Sequence, residues 1–353
     1  MRVSVLDQST IVSGRSPDAS IRESLALARH CEALGYARYW LAEHHNTDSQ
    51  AGSAPEILIS AIAATTSRIR VGSAGVMLPH YASLKVAEQF RVLEAIAPGR
   101  IDLGLGRAPG ADGRTAYALN PNAEIAAENF PAQVSELLAW LAGSGPPENH
   151  PFHGVRAQPQ GPGMPEVWML GSSDYGARVA AYFGLPYCFA HFITDGRGVA
   201  EALEIYRRNY RPSARNPEPM AALCVFALAA ETEAEADRLF SSRALWRLFR
   251  DRGEFPPLPS PEEAATFPYT EGDLERIARM RARMFAGTGE RVAERLRALA
   301  RELAVEEIAV LTTVHDPEAR RHSYALLARE FSLGADGDEE RPLGERPELD
   351  RGG

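Results

Sequence analysis

The chain is short of cysteine, of long apolar runs and of positive charge, and each shortage removes a class of function. Its three cysteines, Cys31, Cys188 and Cys224, are odd in number, widely scattered and without a Cys-x-x-Cys pair, so no disulfide framework is built from them. The longest stretch free of Asp, Glu, Lys and Arg covers residues 179–194, 16 residues interrupted by Gly184 and Pro186. A membrane span requires ~20 apolar residues. From Met1 the chain reaches Asp7 too soon to supply the apolar core of a secretory signal. Thirty-eight basic residues face 47 acidic ones, a formal net charge of −9, which disfavours a dedicated binder of nucleic acid or of an anionic membrane. With 45% hydrophobic and 24% charged residues, the bulk of the 353-residue chain is not a disordered protein. The expectation is a cytoplasmic protein of enzyme size.

What the chain does contain is alternation. Short β-branched or apolar runs fall at 2–6, 39–42, 69–72, 101–105, 167–170, 186–189, 221–229 and 307–311, with helical patterns between them. Ser20 and Glu23 form an S-x-x-E capping box before Ile21, Leu25, Ala28 and Leu34 at helical spacing, and Gly35 follows as a stop. Further helices are expected from Pro55, over 84–96, 176–183 and 199–210, from Thr232, over 290–303, and over 317–331 behind an Asp316 cap. Eight βα units of similar spacing predict a parallel sheet covered by helices, closed into a (β/α)8 TIM barrel. The runner-up, an open Rossmann-like sheet, lacks its G-x-G-x-x-G after the first strand; Gly104 to Gly110 comes nearest, with the wrong spacing. Residues 143–165 read as a long loop, and 250–272, with Pro256, Pro257, Pro259 and Pro261, as an insertion or mobile lid. A single barrel domain over 1–333 is expected, followed by a disordered tail over 334–353.

In such a barrel the C-terminal strand ends gather into one mouth, where polar residues become informative. After the second strand comes Glu43-His44-His45-Asn46. Adjacent strand residues point to opposite faces, so His44 and His45 can hardly ligate one metal ion, and no metal site is expected. One histidine could brace the rim, or a neutral imidazole could act as general base or hydrogen-bond donor. Ser73-Ala74-Gly75 is either a tight exit turn or bare backbone against which a flat ligand lies. Gly171-Ser172-Ser173-Asp174-Tyr175-Gly176 joins a strand to a helix through small donors, which suits either an ordinary cap or a phosphate cradle. Arg107 could complete that cradle, because a guanidinium grips phosphate bidentately.

Together these stretches resemble the luciferase-like flavin-dependent monooxygenases, the family of bacterial luciferase. The likeness is carried by Trp40 to Asn46 (WLAEHHN), Val71 to Pro79 (VGSAGVMLP), Leu84 to Gly110 (LKVAEQFRVLEAIAPGRIDLGLGRAPG) and Gly184-Leu185-Pro186, and spans about residues 1–333. The resemblance implies a barrel that binds reduced FMN at its mouth. It places His44 beside the flavin as the first catalytic candidate, with Glu43 and His45 as further catalytic candidates, and Glu43 or Asn46 orienting the His44 ring. It implies a cis peptide between Ala74 and Gly75 under the isoalloxazine ring, and an FMN phosphate held by Arg107 and by the amides of Ser172, Ser173 and Gly176. Ser73 and Gly171 join the cofactor-binding set. One departure is Ala116-Tyr117-Ala118-Leu119, where relatives often carry a second phosphate Arg; Tyr117 adds no charge, and Arg114 could compensate.

The function so implied is a two-component enzyme. A separate flavin reductase supplies reduced FMN, O2 adds to give a peroxyflavin, and a small organic substrate such as an aldehyde is oxygenated. The alternatives are an F420-dependent oxidoreductase on the same barrel and a flavin-binding relative without catalysis. A homodimer is expected through the helices at 57–66 and 84–96.

Overall fold

Among the described residues nine strands form, eight of them where the short apolar runs lie: β1 (Arg2–Asp7), β2 (Arg38–Leu41), β3 (Arg70–Met77), β4 (Ile101–Gly106), β5 (Glu166–Gly171), β6 (Tyr187–Ala190), β7 (Ala221–Ala230), β8 (Phe285–Thr288) and β9 (Glu307–Leu311). The structure is a computed structural model describing residues 1–108 and 111–334; the expected tail, apart from its first residue, lies outside the described residues. Strands β1 to β7 pair in succession and β9 joins β7 to β1, every pairing parallel. The ring is closed, and the fold is a single-domain (β/α)8 barrel. Its strands are buried from both sides, which is why β7 reads as a continuous apolar run (AALCVFALAA) with all of its residues buried.

The eight expected strands are the eight of the ring. The ninth, β8, was not anticipated. It pairs outside the ring with the far half of β7, Ala227–Ala230, and its four residues are too few to show a period. The first helix is Pro17–Ala33, a turn earlier than the Ser20 box implied. Pro17 at N1 has its φ already set for a helix, so the chain nucleates there and Ser20 and Glu23 lie inside. Pro55–Thr65, Ser83–Ile96, Val199–Asn209 and Pro317–Glu330 form within a few residues of expectation, the last with Asp316 accepting the Glu318 and Ala319 amides. Residues 250–272 are an insertion, but a built one. Capping boxes at Ser260 and Thr270 open helices Pro261–Thr266 and Glu271–Arg283, and buried Leu258 exchanges backbone hydrogen bonds with Ile11 and Ser13.

Inside the ring lies a layer of charge. Arg38 of β2 reaches Asp102 of β4 (2.9 Å), Glu307 of β9 (2.9 Å) and Glu166 of β5 (3.2 Å). Arg70 adds a second cation to Asp102 at 2.5 Å, and Arg2 lies 3.2 Å from Glu307. Above them Trp40 and Trp168 meet edge-to-face with centroids 5.1 Å apart, and Trp40 Nε1 donates to Asp102 at 2.9 Å. This pair floors the mouth.

A second buried pair ties the last helix to the first strand. Asp7 accepts from Arg320 Nη2 (2.8 Å), Tyr39 Oη (2.7 Å) and the Ser9 amide (2.9 Å). Burial pushes the Asp7 carboxyl up, but Arg320 beside it and hydroxyl hydrogen bonds hold it below the ordinary carboxylate range. The stability it contributes is therefore present above its unfolded value of about 3.9 and is lost as pH falls below it. Replacing Arg320→Met strands a buried carboxylate and is expected to cost about 3–5 kcal/mol in urea denaturation, with Asp7→Asn added to it restoring part of the loss.

Candidate active site

The C-terminal strand ends enclose a cavity of about 870 Å³, within the range of small-molecule pockets. Its lining runs from Leu6 and Gln8 after β1 round to Cys188 and Ala190 on β6, with Phe192, Ile193, Trp246 and Phe255 as an apolar wall. Ten residues from the expected site line it: Glu43, His44, His45, Ala74, Gly75, Arg107, Gly171, Ser172, Ser173 and Gly176. Ser73 does not. Its buried hydroxyl is turned into the sheet, donating to the Gly104 carbonyl (3.0 Å) and accepting the Gly104 amide (3.1 Å).

Strand alternation decides what the Glu-His-His run does. Trp40 and Ala42 face the barrel interior, whereas Tyr39 and Leu41 pack towards the helices. His44 keeps the inward phase and lines the cavity, and its buried Nδ1 has no hydrogen-bond partner among the described residues. Burial, with smaller contributions from His45 and Arg250, outweighs the pull of Glu43 and takes the His44 pKa down to about 4. The imidazole is neutral at pH 7. The expectation that Glu43 or Asn46 orients it is corrected by the geometry. Glu43 is buried and serves His45 Nε2 (2.8 Å), the Tyr81 hydroxyl (2.7 Å) and the Met77 amide (3.1 Å). Asn46 donates instead to Asp112 (3.0 Å). His44 is fixed from its own backbone, whose amide donates to the Gly52 carbonyl at 2.9 Å. Among the described residues, no group of three or more His, Cys, Asp and Glu side chains is placed to hold a metal ion.

Across from the histidines, the β3–β4 register shifts between Ser73 and Val76, and the Ala74–Gly75 peptide there is cis. A Cβ on Gly75 would lie 2.8 Å from the Gly104 carbonyl oxygen and 2.8 Å from Leu170 Cδ1, and one on Gly104 would lie 2.2 Å from the Ser73 carbonyl oxygen. Close approach of two strands accounts for these glycines, and the result is a ledge of nearly bare backbone facing the cavity.

A third feature is cationic. Helix Asp174–Phe183 begins at Ser173, whose hydroxyl makes no capping bond, so its first amides are left to another acceptor. The Arg107 guanidinium is exposed, stacks 3.9 Å from the Tyr175 ring and forms no ion pair among the described residues. Gly171 and Gly176 pack together beneath, where a Cβ on Gly171 would meet the Gly176 Cα at 3.5 Å. Arg114 and Tyr117 are absent from the cavity lining, and Tyr117 is 67% exposed. Pro109 and Gly110, which link Arg107 to that region, lie outside the described residues.

Sequence reading missed the wall opposite. Helix Glu233–Asp251 presents Arg243 and Arg250 to the cavity, with Arg247 between them on the same face. The signal was available: Arg at i, i+4 and i+7, with no acidic residue between Leu239 and Arg250. Residues 250–272 also reach the mouth, through Arg250, Gly253 and Phe255.

The family model of luciferase-like monooxygenases matches residues 1–307. The chain belongs to that family. A luciferase-like monooxygenase of Escherichia coli K12 is 40% identical over 325 residues, 92% of this chain and 95% of its own length. The N-acetyl-S-alkylcysteine monooxygenase of Bacillus subtilis strain 168 is 36% identical over 331 residues, covering 93% and 97%. Among solved structures, apo-MsnO8 superposes with a TM-score of 0.86 at 38% identity, covering 94% of this chain and 98% of that one. As a luciferase-like monooxygenase the protein is a flavin-dependent oxygenating enzyme, and its cavity fits a flavin. The bare ledge can take a flat ring, Arg107 and the amides after Ser173 suit a phosphate, and the His44 side chain lines the same cavity.

The low pKa has a direct check. In NMR of histidine-labelled protein, the His44 ring resonances are expected to stay at neutral positions between about pH 7.5 and pH 5.5, while an exposed histidine titrates near 6.5. Because the folded value lies below the unfolded one, stability is lost as pH falls from about 6.5 towards 4. A His44 midpoint near 6.5 would contradict its burial.

Proposed function

We propose that this luciferase-like monooxygenase is a cytoplasmic, two-component enzyme that uses FMN, reduced by a separate flavin reductase, together with O2 to oxygenate a small organic substrate. The observation that carries the reading is a neutral, unpartnered imidazole in the same cavity as a bare-backbone ledge and a cationic helix start. Bound reduced FMN supplies the electrons that activate O2. The rest of the chemistry falls to the chain. Arg107 and the amides after Ser173 bind the phosphate, Ala74 and Gly75 support the ring, and the Phe192, Ile193, Trp246 and Phe255 wall keeps water out. The His44 ring accepts a proton at the reacting centre, which a neutral imidazole can do at pH 7 and an imidazolium cannot. Glu43 acts at one remove, fixing His45 and Tyr81 at the rim.

The solvent-exposed Tyr117 supports FMN as a diffusing co-substrate, since it adds no second charge to the cradle. The relative named an N-acetyl-S-alkylcysteine monooxygenase supports a small organic substrate. Exposed Ile57, Val92 and Ile96, on two adjacent helices, support a homodimer packed through that face. Sedimentation at the mass of one chain at micromolar concentration would rule it out.

The activity test combines the protein with FMN, a flavin reductase and a panel of aldehydes and other small organic molecules, following O2 uptake and oxygenated product. His44→Ala is expected to lower kcat by about 10²–10⁴-fold while FMN affinity stays within about twofold. Arg107→Ala is expected to weaken FMN binding by about tenfold. Turnover with F420 in the absence of O2 would replace this reading with hydride transfer, and an unchanged rate in His44→Ala would remove the histidine from the chemistry.

A further inference from the structure

Helix Glu233–Asp251 follows β7 and forms the side of the cavity two strands round from the Arg107 cradle. Three of its arginines, Arg243, Arg247 and Arg250, carry more positive charge than their surroundings neutralise. Arg247 is the one with an ion pair, to Asp195 at 3.3 Å. Arg250 lines the cavity and forms no ion pair among the described residues; Asp251 beside it is taken by Arg276 at 2.5 Å. Arg243 is 3% exposed, and its Nε has no hydrogen-bond partner among the described residues. Its guanidinium lies flat over the Phe226 ring at 4.0 Å, with one long hydrogen bond to Thr313 Oγ1 at 3.4 Å. The carboxylates that act on Arg243 and Arg250 are Asp195 and Asp251, and each is already paired, with Arg247 and with Arg276.

An unpaired guanidinium held this deep is costly. Burial, followed by repulsion from Arg247 and Arg250, takes the Arg243 pKa down to about 9. A buried cation persists when an anion completes it, and among the described residues no side chain is placed to do so. An oxyanion with two adjacent oxygens matches the donor fork of arginine and reaches it through the cavity.

We propose that the substrate carries an oxyanion, a carboxylate or sulfonate, and that Arg243 and Arg250 bind it, setting the orientation of the molecule across the mouth from the flavin phosphate. This names the substrate class for the site proposed above and rests on that reading. The apolar residues between the two cationic ends, Phe192, Trp246 and Phe255 among them, take the uncharged body of the substrate. Arg243 and Arg250 are thus specificity residues, one buried and rigid, the other at the rim.

The test is isothermal titration calorimetry of the wild-type protein against n-alkanoates and n-alkanesulfonates from four to ten carbons, each alkanoate paired with its amide. At least one acid is expected to bind about tenfold or more tightly than its amide, and Arg243→Gln and Arg250→Gln each to remove most of that preference. FMN affinity, followed by flavin fluorescence quenching, is expected to stay within about twofold in both variants. Arg250→Gln, at the rim, keeps the test open if Arg243→Gln misfolds. Equal binding of every acid and amide, or a preference unchanged in a folded Arg250→Gln, would overturn the proposal. So would a loss of FMN affinity in the variants without any acid preference, which would give these cations to the flavin phosphate. Failure of the wild-type protein to bind FMN would sink the cofactor reading and leave the acid preference to stand or fall separately.

Discussion

The charge layer in the barrel interior is the constraint on which the rest of the structure depends. Arg38 sits among carboxylates contributed by three different strands, β4, β5 and β9. Removing a buried ion from such a cluster leaves its partners uncompensated, at a cost of several kcal/mol. The four strands must therefore present Arg38, Asp102, Glu166 and Glu307 at one height, which fixes their stagger around the ring. Trp40, two residues beyond Arg38, inherits that height and bonds to the same Asp102. The floor of the cavity is set by the ion pairs below it.

The layers above differ in polarity. Arg2, Arg38 and Arg70 against Asp102, Glu166 and Glu307 leave the interior without net charge. The mouth does not balance in that way. Among the described residues its two acids are engaged, Glu43 by three donors and Asp112 by Asn46, Thr115 and two amides, whereas Arg107, Arg243 and Arg250 have no carboxylate partner there. A chain with a net charge of −9 thus holds a positive mouth, and low-dielectric walls concentrate that field on what enters.

Most of the barrel was legible in the sequence because parallel strands and amphipathic helices write their period directly into it. The ring strands and most of the helices around them followed from that period alone. Strand β8 was not legible, since four residues carry no period, and the first helix started early because Pro17 outweighed the Ser20 box. Helix Pro261–Thr266 was hidden by the prolines around it, which read as a loop although Pro261 sits at the helix start. At the site, the residue types at the strand ends marked the mouth, but not which way each side chain turned. Ser73 turns into the sheet because Gly104 needs a hydroxyl there, and Glu43 turns to the Met77 amide and Tyr81. Those outcomes depend on contacts between residues 31 to 38 positions apart. Arg243 was overlooked because an arginine on a helix reads as surface until its burial is known.

The outer half of β7 has a consequence of its own. Beyond the ring it pairs with β8, and together they carry a separate apolar cluster in which Phe226, Leu228 and Ala230 meet Leu239, Phe240, Met280 and Met284. Helix Glu233–Asp251 rests on that annex, and Glu233 fastens it by accepting the Thr288 amide. Barrel closure and ligand choice consequently have independent foundations. Descendants of this chain can exchange the residues facing the mouth from that helix and diverge in chemistry while the ring stays unchanged.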